Sequence, residues 1–232
     1  MNYAIILAGG TGTRAGSTLP KQFQMVGGLR MFWWSVIAFQ KFDPSCKIIL
    51  VVHPDFLKNW ETLFGEEERR LNINIEKVAG GKSRIESVRH GLEFVAESLK
   101  IESEHMDDGS AAIVYIHDSA RPYITPQLIE RGCDLVMPGR GAIPVVPIAD
   151  SLRRLTENGS VAADRSEYVA VQTPQIFILE DILSAYRNLT DESGLTDDAS
   201  IAEKSGMKIS TFEGDPANIK VTTAFDLKNA IQ

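Results

Sequence analysis

A glycine-rich loop near the amino terminus carries the residues best suited to binding a phosphate. The loop runs from Ala8 to Gly16, has glycines at positions 9, 10 and 12, and follows directly on a short apolar segment. Glycines let the backbone approach a ligand closely, so that successive N–H groups can surround an anion. Arg14 and Lys21 lie on either side of a flexible turn and can both reach one phosphate group. A solvated surface loop is the alternative, but the glycines favour a phosphate site.

The loop fits two common nucleotide motifs poorly. It lacks the Gly-Lys-Ser/Thr ending of a P-loop. Gly10, Gly12 and Ala15 match the weak dinucleotide fingerprint, but the acidic residue expected about 20 positions later is absent, since that region reads Met31-Phe32-Trp33-Trp34. An oxidoreductase that uses a nicotinamide or flavin dinucleotide is therefore a less favoured alternative, and a non-catalytic nucleotide-binding module is another.

Two further polar segments follow apolar stretches that are typical of strands. Gly80 and Gly81 lie between a predicted strand and a predicted helix, and the hydroxyl of Ser87 in that helix is placed to bond a base or a ribose. Asp118 and Arg121 follow a strongly apolar segment, where the carboxylate can accept from ribose or polyol hydroxyls while the arginine holds it in place. A purely local Asp–Arg pair is the structural alternative.

A sheet must position these segments, because short runs of branched apolar residues alternate along the chain with helical patterns. The predicted strands are Tyr3–Ala8, Lys47–Val52, Ile73–Val78, Ala111–His117, Ala142–Ile148 and Lys208–Phe212. The predicted helices are Phe32–Phe42, Asp55–Phe64, Arg84–Leu99, Pro126–Met137, Ile178–Tyr186, Asp198–Lys204 and Phe225–Ile231. This alternation predicts an α/β fold with a Rossmann-like, open, mostly parallel twisted sheet and helices on both faces, in one domain over residues 1–232.

A polar segment, residues 151–172, interrupts the alternation and predicts a β-arm that projects from the domain. Asn158-Gly159 suits a tight turn with positive φ angles, so Leu152–Leu155 and Tyr168–Val171 are the predicted legs of a hairpin. A disordered insertion is less favoured, because both legs contain apolar residues. An arm this thin and polar cannot bury a core of its own, so we expect a partner surface, and two-fold dimers are the commonest solution.

The composition excludes several classes of protein. The 232 residues are 44% hydrophobic and 24% charged, as in ordinary globular proteins. A net charge of −7 argues against general nucleic-acid binding, and no apolar run approaches the roughly 18 residues of a membrane span. The amino terminus lacks a signal-peptide pattern. Neither the two cysteines, Cys46 and Cys133, nor the four histidines have metal-ligand spacing, so we expect a cytoplasmic protein with no metal bound by its own side chains.

The series of polar segments resembles the polyol-phosphate cytidylyltransferases, above all those that act on 2-C-methyl-D-erythritol 4-phosphate in the non-mevalonate isoprenoid pathway. The first shared segment is Leu7-Ala8-Gly9-Gly10-x-Gly12-x-Arg14, followed by Pro20-Lys21-Gln22-Phe23. The later ones are Gly80 to Val88, His117 to Pro122, Asp150-Ser151, Gln172 to Phe177, Thr196 to Ser200 and Asn218 to Thr223. They span nearly the whole chain in the family's order, which makes the resemblance specific.

The resemblance implies transfer of CMP from CTP to 2-C-methyl-D-erythritol 4-phosphate, giving 4-diphosphocytidyl-2-C-methyl-D-erythritol and pyrophosphate. Arg14 and Lys21 would stabilise the α-phosphate in the transition state, and Arg165 and Lys220 would position the acceptor phosphate. Mg²⁺ would be held mainly by the CTP phosphates. The arm would form a homodimer in which Arg165 reaches the neighbouring site.

The remaining contacts are implied in the same way. Residues that would bind CTP are Ala8, Gly9, Gly10, Thr11, Gly12, Gly81, Lys82, Ser87 and Asp118. Residues that would bind the polyol phosphate are Asp118, Arg121, Ser151, Thr173 and Thr196. The alternative, on residue type alone, is that Ser151, Thr173 and Thr196 are ordinary strand or helix-cap residues. Lys220 would then be an exposed lysine on an edge strand.

Three positions depart from the family pattern. Gly9 replaces a common alanine, Ser151 a common threonine, and Lys82 a common acidic residue, which affects the contact to the base or ribose. The Leu-Ala-Gly-Gly form also resembles ribitol 5-phosphate cytidylyltransferases, so that acceptor remains an alternative. The methylerythritol assignment rests on Pro-x-x-Asp-Ser-Leu-Arg, ending at Arg153, and on Asp-Arg-Ser-x-Tyr, ending at Tyr168.

Overall fold

The computed structural model of the protein describes residues 1–10, 19–103 and 111–230. The strands in these ranges are β1 (Asn2–Ala8), β2 (Met25–Val26), β3 (Leu29–Arg30), β4 (Lys47–Val52), β5 (Glu76–Ala79), β6 (Ile113–Asp118), β7 (Arg140–Pro147), β8 (Leu152–Thr156), β9 (Gly159–Ala163), β10 (Val169–Val171), β11 (Gln175–Ile178) and β12 (Lys208–Glu213). The helices are α1 (Met31–Phe42), α2 (Pro54–Lys58), α3 (Trp60–Leu71), α4 (Arg84–Ser103), α5 (Pro126–Glu130), α6 (Leu179–Arg187), α7 (Asp198–Lys204) and α8 (Ala224–Ala230). None of these helices has the length and apolar character needed to cross a bilayer.

The central sheet is open and has the order β10-β7-β11-β6-β1-β4-β5, with β12 also paired to β7. Strand β1 is parallel to β4 and β6, β4 is parallel to β5, and β12 is parallel to β7. Strands β10 and β11 run antiparallel to their neighbours. The prediction of an open, mostly parallel sheet is therefore confirmed.

Two apolar cores cover the two faces of the sheet. Alternate residues of β1 divide between them: Ala4 and Ile6 face the core that contains α1 and α3, whereas Tyr3 and Ile5 face the core that contains α4, α6 and α7. This alternation follows from the two-residue period of a strand, and burial on both faces is typical of a parallel sheet. The predicted placement of helices on both faces is confirmed.

An aromatic cluster in the first core anchors a short 3₁₀ helix, Lys21–Phe23. The Phe23 ring is fully buried, with its centroid 4.8 Å from the centroids of both Phe56 and Phe64. Such aromatic contacts add to the stabilisation from burial. The position of Lys21, two residues away, is therefore fixed by the packing of the core.

Two predicted helices are wrong in their extent. The single helix predicted over Asp55–Phe64 is divided into α2 and α3, because Asn59 has a non-helical conformation (φ −106°, ψ 15°). The helix predicted over Pro126–Met137 ends at Glu130, and a 3₁₀ turn follows over Cys133–Leu135. At Gly132 the chain lies so close to the sheet that a Cβ would be 2.5 Å from Ile176 and 2.6 Å from Phe212.

The bounds of some strands, and of the last helix, also differ from the prediction. Strand β11 was not predicted, because its apolar residues run directly into α6 and Ile178 was assigned to that helix. The strand predicted over Ile73–Val78 begins only at Glu76. The last predicted helix extends to Ile231, which lies outside the described residues.

The arm contains a hairpin, but its legs are not the predicted pair. Strand β8 pairs with β9, so that Thr156 faces Gly159 across a two-residue turn, and only Gly159 of the predicted turn pair has a positive φ (131°). The second strand of the hairpin, β9, therefore begins at Gly159, directly after the turn. Tyr168 precedes β10, and Val169–Val171 instead extends the central sheet by pairing with β7.

Candidate functional site

A cleft of about 390 Å³ lies at the carboxyl edge of the parallel strands, where open α/β sheets bind their ligands. The loop after β1, the turn after β5 and the end of β6 each contribute to it. The residues that line it are Leu7, Gly9, Gly10, Lys21, Gln22, His53, Gly81, Lys82, Ser83, Arg84, Ser87, Asp118, Ser119, Ala120 and Lys220. Many residues predicted from separate sequence segments thus meet at one site.

The side chain of Gln22 holds the start of the glycine-rich loop in place. Its Nε2 donates to the carbonyl oxygens of Ala8 at 2.9 Å and Gly10 at 2.5 Å. Gln22 is buried and belongs to the 3₁₀ helix anchored by Phe23. Of the remaining loop residues predicted to bind phosphate, Thr11, Gly12 and Arg14 lie outside the described residues.

The turn between β5 and α4 is held by Ser87. Its hydroxyl accepts from the backbone N–H of Gly81 at 3.0 Å and donates to the carbonyl of Ser83 at 2.8 Å. Ser87, which is predicted to bind CTP, therefore also holds this turn in place. Lys82 is exposed, and its backbone N–H donates to the Glu86 carboxylate at 2.6 Å.

Asp118 is the centre of charge in the cleft. Its Oδ2 lies 2.6 Å from Nζ of Lys220, and its Oδ1 lies 3.5 Å from Nε of Arg84. Burial raises the pKa of the carboxyl, but the positive charges of Arg84 and Lys220 outweigh burial and hold the pKa well below its ordinary value. Asp118 is thus ionised while it is nearly inaccessible to solvent.

Lys21 and Lys220 approach the cleft from distant parts of the chain. Nζ of Lys21 donates to the carbonyl oxygen of Val221 at 2.8 Å. Because Val221 adjoins Lys220, two of the predicted phosphate-binding cations are brought to one side of the cleft. In a protein of net charge −7, this is the local positive cluster that an anionic ligand requires.

Arg84 and Asp198 were missed as functional candidates, although both lie in segments singled out by sequence. Nη1 and Nη2 of Arg84 donate to Oδ1 and Oδ2 of Asp198 at 2.8 and 2.7 Å. Asp198 is fully buried and also accepts from the hydroxyl of Tyr186 at 2.5 Å. The two charges are 114 positions apart, so no spacing in the sequence could indicate that they pair.

Thr173 is linked to Asp118 through the backbone. Its Oγ1 accepts from the N–H of Asp118 at 3.1 Å and lies 3.0 Å from Nδ1 of His117. Arg121 was expected to hold the Asp118 carboxylate, but its Nη atoms donate to the carbonyls of Asn218 and Val171 instead. Arg84 and Lys220 take that role.

Five predicted acceptor-binding residues do not line the cleft of their own chain: Thr173 and Arg121, which lie behind the end of β6, and Arg165, Ser151 and Thr196. Arg165 is exposed on a 3₁₀ turn of the arm, where Nη1 donates to the carbonyl of Ala149. Ser151 is exposed at the base of the arm, and Thr196 is exposed just before α7.

Comparison with known proteins identifies relatives over the whole chain. A model of the family described as 2-C-methyl-D-erythritol 4-phosphate cytidylyltransferase matches residues 2–231. A protein of that name from Bacteroides thetaiotaomicron is 38% identical over 224 residues, which is 97% of this chain and 95% of the relative. One from Cereibacter sphaeroides is 38% identical over 229 residues, or 98% and 94% of the two chains. A crystal structure of a 4-diphosphocytidyl-2C-methyl-D-erythritol synthase superposes with a TM-score of 0.74 at 25% identity and covers 99% of this chain and 97% of that one.

The buried His117 predicts a dependence of stability on pH. Burial lowers its pKa from 6.5 to about 4, although the charge of Asp118 acts in the opposite direction. Between these values the unfolded chain binds a proton that the folded chain does not, so the folded state loses stability as the pH falls from 6.5 towards 4. At pH 5 this loss is about 2 kcal/mol.

We therefore expect His117→Asn to remove that part of the pH dependence. The measurement is the free energy of unfolding in urea at pH 7 and pH 5 for both proteins. The wild type should lose about 2 kcal/mol more than the variant between the two values. Equal losses would contradict the neutral, buried state of His117.

Proposed function

The chain belongs to the 2-C-methyl-D-erythritol 4-phosphate cytidylyltransferase family, and on that premise we propose how its cleft carries out the reaction. The protein is a nucleotidyltransferase that transfers CMP from CTP to 2-C-methyl-D-erythritol 4-phosphate, giving 4-diphosphocytidyl-2-C-methyl-D-erythritol and pyrophosphate. The observation that carries the mechanism is the meeting of Lys21, Lys220 and the ionised Asp118 beside the glycine-rich loop. The family match disfavours the ribitol phosphate, oxidoreductase and binding-module alternatives. A cytoplasmic location stays a prediction.

The chemistry needs charge and orientation more than proton transfer. An oxygen of the acceptor phosphate attacks the α-phosphorus of CTP, a new P–O bond forms, and the bond to the β-phosphate oxygen breaks to release pyrophosphate. The nucleophile is already an anion at neutral pH, so no general base is required. The barrier comes from bringing two polyanions together and from charge in the in-line transition state.

Lys21 and Lys220 act on the two reacting phosphates. We assign Lys21, with Arg14, to the α-phosphate, because Lys21 is carried by the segment that holds the glycine-rich loop. Lys220 is assigned to the acceptor phosphate. The hydrogen bond from Lys21 to the carbonyl of Val221, the residue after Lys220, supports this division. It keeps the two lysines close together on two separate segments, so that each can bind a different phosphate.

The nucleoside of CTP is assigned to the narrow space between the glycine-rich loop and the turn after β5. A Cβ on Gly9 would lie 3.5 Å from Oγ of Ser87, so these two segments are close together. Gly10, Gly81 and Lys82 border the same space. A slot between two backbone segments favours a small, flat pyrimidine over a purine.

The polyol is assigned to the side of the cleft that Asp118 occupies. An ionised carboxylate accepts strongly from hydroxyl groups, and Thr173 and Arg121 surround the same strand end. Ser151 and Thr196 belong to the predicted set, but they reach an acceptor only if a second subunit or substrate binding completes the site.

Mg²⁺ is proposed to enter with CTP. The described residues contain no cluster of three or more acidic, histidine or cysteine side chains that could hold a metal, and Asp118 is the one carboxylate among those lining the cleft. This donor set fits a Mg²⁺ ion that keeps most of its ligands as phosphate oxygens and water. The ion would neutralise part of the triphosphate charge.

The arm is proposed to form a homodimer. It exposes several apolar side chains, with 83% of Leu155, 49% of Tyr168, 49% of Val169 and 43% of Val161 accessible. Apolar surface of this kind, on the β8–β9 hairpin and on the adjoining edge strand β10, favours burial against a partner. Arg165 lies on this arm and not in the cleft of its own chain, which supports its action on the neighbouring site.

The first experiment measures pyrophosphate release with CTP and Mg²⁺ and offers 2-C-methyl-D-erythritol 4-phosphate, ribitol 5-phosphate or erythritol 4-phosphate. We expect turnover with the first and little with the others.

The same assay tests the nucleotide and the metal. ATP and GTP should not replace CTP, and EDTA should abolish activity until Mg²⁺ is restored. Absence of turnover with all three acceptors would overturn the function, equal use of CTP and UTP would overturn the cytidine assignment, and full activity in EDTA would overturn the role of Mg²⁺.

Lys21→Ala should lower turnover far more than CTP affinity, because its charge is needed mainly in the transition state. The expected loss in kcat is roughly 100- to 1000-fold. Steady-state kinetics and calorimetric binding of CTP give the two quantities, with the exposed helix residue Lys58→Ala as the control. An unchanged kcat with only a raised Michaelis constant for CTP would make Lys21 a binding residue.

Shared sites predict that two inactive variants can restore each other. If Lys21→Ala and Arg165→Met chains are unfolded together and refolded, about half the dimers are mixed, and each mixed dimer has one site with both cations. The mixture should recover about one quarter of wild-type activity. If mass spectrometry finds mixed dimers but activity stays at the level of the separate variants, Arg165 does not act across the dimer.

A further inference from the structure

The buried carboxylate of Asp198 lies directly behind the cleft. It begins α7, is fully inaccessible to solvent, and accepts from both terminal nitrogens of Arg84. The hydroxyl of Tyr186 gives it a further hydrogen bond. Asp198 itself does not line the cleft, whereas Arg84 does.

Charged groups continue from Asp198 into the cleft in alternating sign. The order is Asp198, Arg84, Asp118 and Lys220, with successive N···O contacts of 2.7, 3.5 and 2.6 Å. Asp198 and Arg84 form the bidentate pair. Arg84 meets Asp118 only through Nε, at the longest of the three distances.

Stability alone is a weak reason for this pair. Removing two charges from water is costly, and well-packed apolar residues often stabilise a core as well as a buried ion pair does. What the pair determines is the direction of the Arg84 guanidinium. With both Nη atoms bonded to Asp198, the end-on face of the guanidinium is occupied, and Arg84 approaches Asp118 only through Nε, at 3.5 Å.

We propose that Asp198 is a positioning residue that keeps Asp118 available to Lys220. Without the negative charge of Asp198, the guanidinium would turn to Asp118, because a bidentate contact to a carboxylate is the stronger arrangement. Lys220 would then lose its partner and its fixed place in the cleft. The inference rests on the proposed role of Lys220 in binding the acceptor phosphate.

The test is Asp198→Asn, which keeps the shape of the side chain and removes its charge. At saturating CTP, kcat/KM for 2-C-methyl-D-erythritol 4-phosphate should fall about 100-fold, mainly through KM, since a small displacement of a positioning group can cost this much. The dissociation constant of CTP should change less than about twofold, because the nucleoside is assigned to the space beside Gly9, Gly10 and Gly81, which Asp198 does not line. The matched control is Asp134→Asn, the same change at an exposed aspartate of the 3₁₀ turn after α5, which does not line the cleft and should leave KM unchanged.

A second variant separates positioning from folding. Arg84→Met/Asp198→Asn removes both members of the buried pair, so nothing competes with Lys220 for Asp118, and KM for the acceptor should return to within about threefold of wild type. The double variant buries no unpaired charge at these two positions. It therefore also provides the test if Asp198→Asn alone does not fold.

The outcomes are distinct. Wild-type protein without turnover would overturn the proposed function and the inference together, and a Lys220→Met variant with normal acceptor KM would overturn the role of Lys220 on which the inference rests. If both of those hold, an unchanged KM in Asp198→Asn overturns the inference alone. So does a double variant as impaired as the single one, because that result would mean that Arg84 itself is needed.

Discussion

The arrangement of the cleft depends on one buried, ionised carboxylate, Asp118. A strand end at the carboxyl edge of the sheet places it there, and its burial would favour the neutral acid if Arg84 and Lys220 were absent. Those two cations come from α4 and from the segment after β12, so the charge of Asp118 links parts of the chain that are far apart in sequence. The fold thus brings α4, the end of β6 and the segment after β12 together at the carboxyl edge of the sheet.

The rest of the site is held by the packing of the core. Phe23 belongs to the aromatic cluster, and its neighbour Gln22 bonds the carbonyls on both sides of Gly9. Lys21, on the same 3₁₀ helix, reaches across to Val221. The start of the glycine-rich loop, at Ala8 and Gly10, and the strand-end carboxylate are thus fixed by different interactions, one through an apolar cluster and one through ion pairs.

The sequence was informative where local pattern decides the outcome. The sheet, the helices on its two faces and the strand-end position of Asp118 follow from periodicity and from the rule that ligands bind at carboxyl edges. It failed where the outcome depends on distant contacts. The close approach of Gly132 to Ile176 and Phe212 and the pairing of Arg84 with Asp198 across 114 positions both depend on such contacts. The hairpin is a different case, because a local pattern does indicate it: Gly159 has a positive φ, and the strand that pairs with β8 begins at Gly159 rather than at Tyr168.

The late position of Lys220 in the chain bears on synthesis at the ribosome. Domains fold as units as their sequence emerges, and the strands β1, β4, β5 and β6 are complete well before residue 220. A nascent chain at that stage already contains the glycine-rich loop and Asp118 but has neither Lys220 nor the Val221 carbonyl that Lys21 bonds. The charge pattern that suits two phosphates therefore arises only when the segment after β12 is added, so a truncated translation product would retain the parallel strands of the sheet without a competent site.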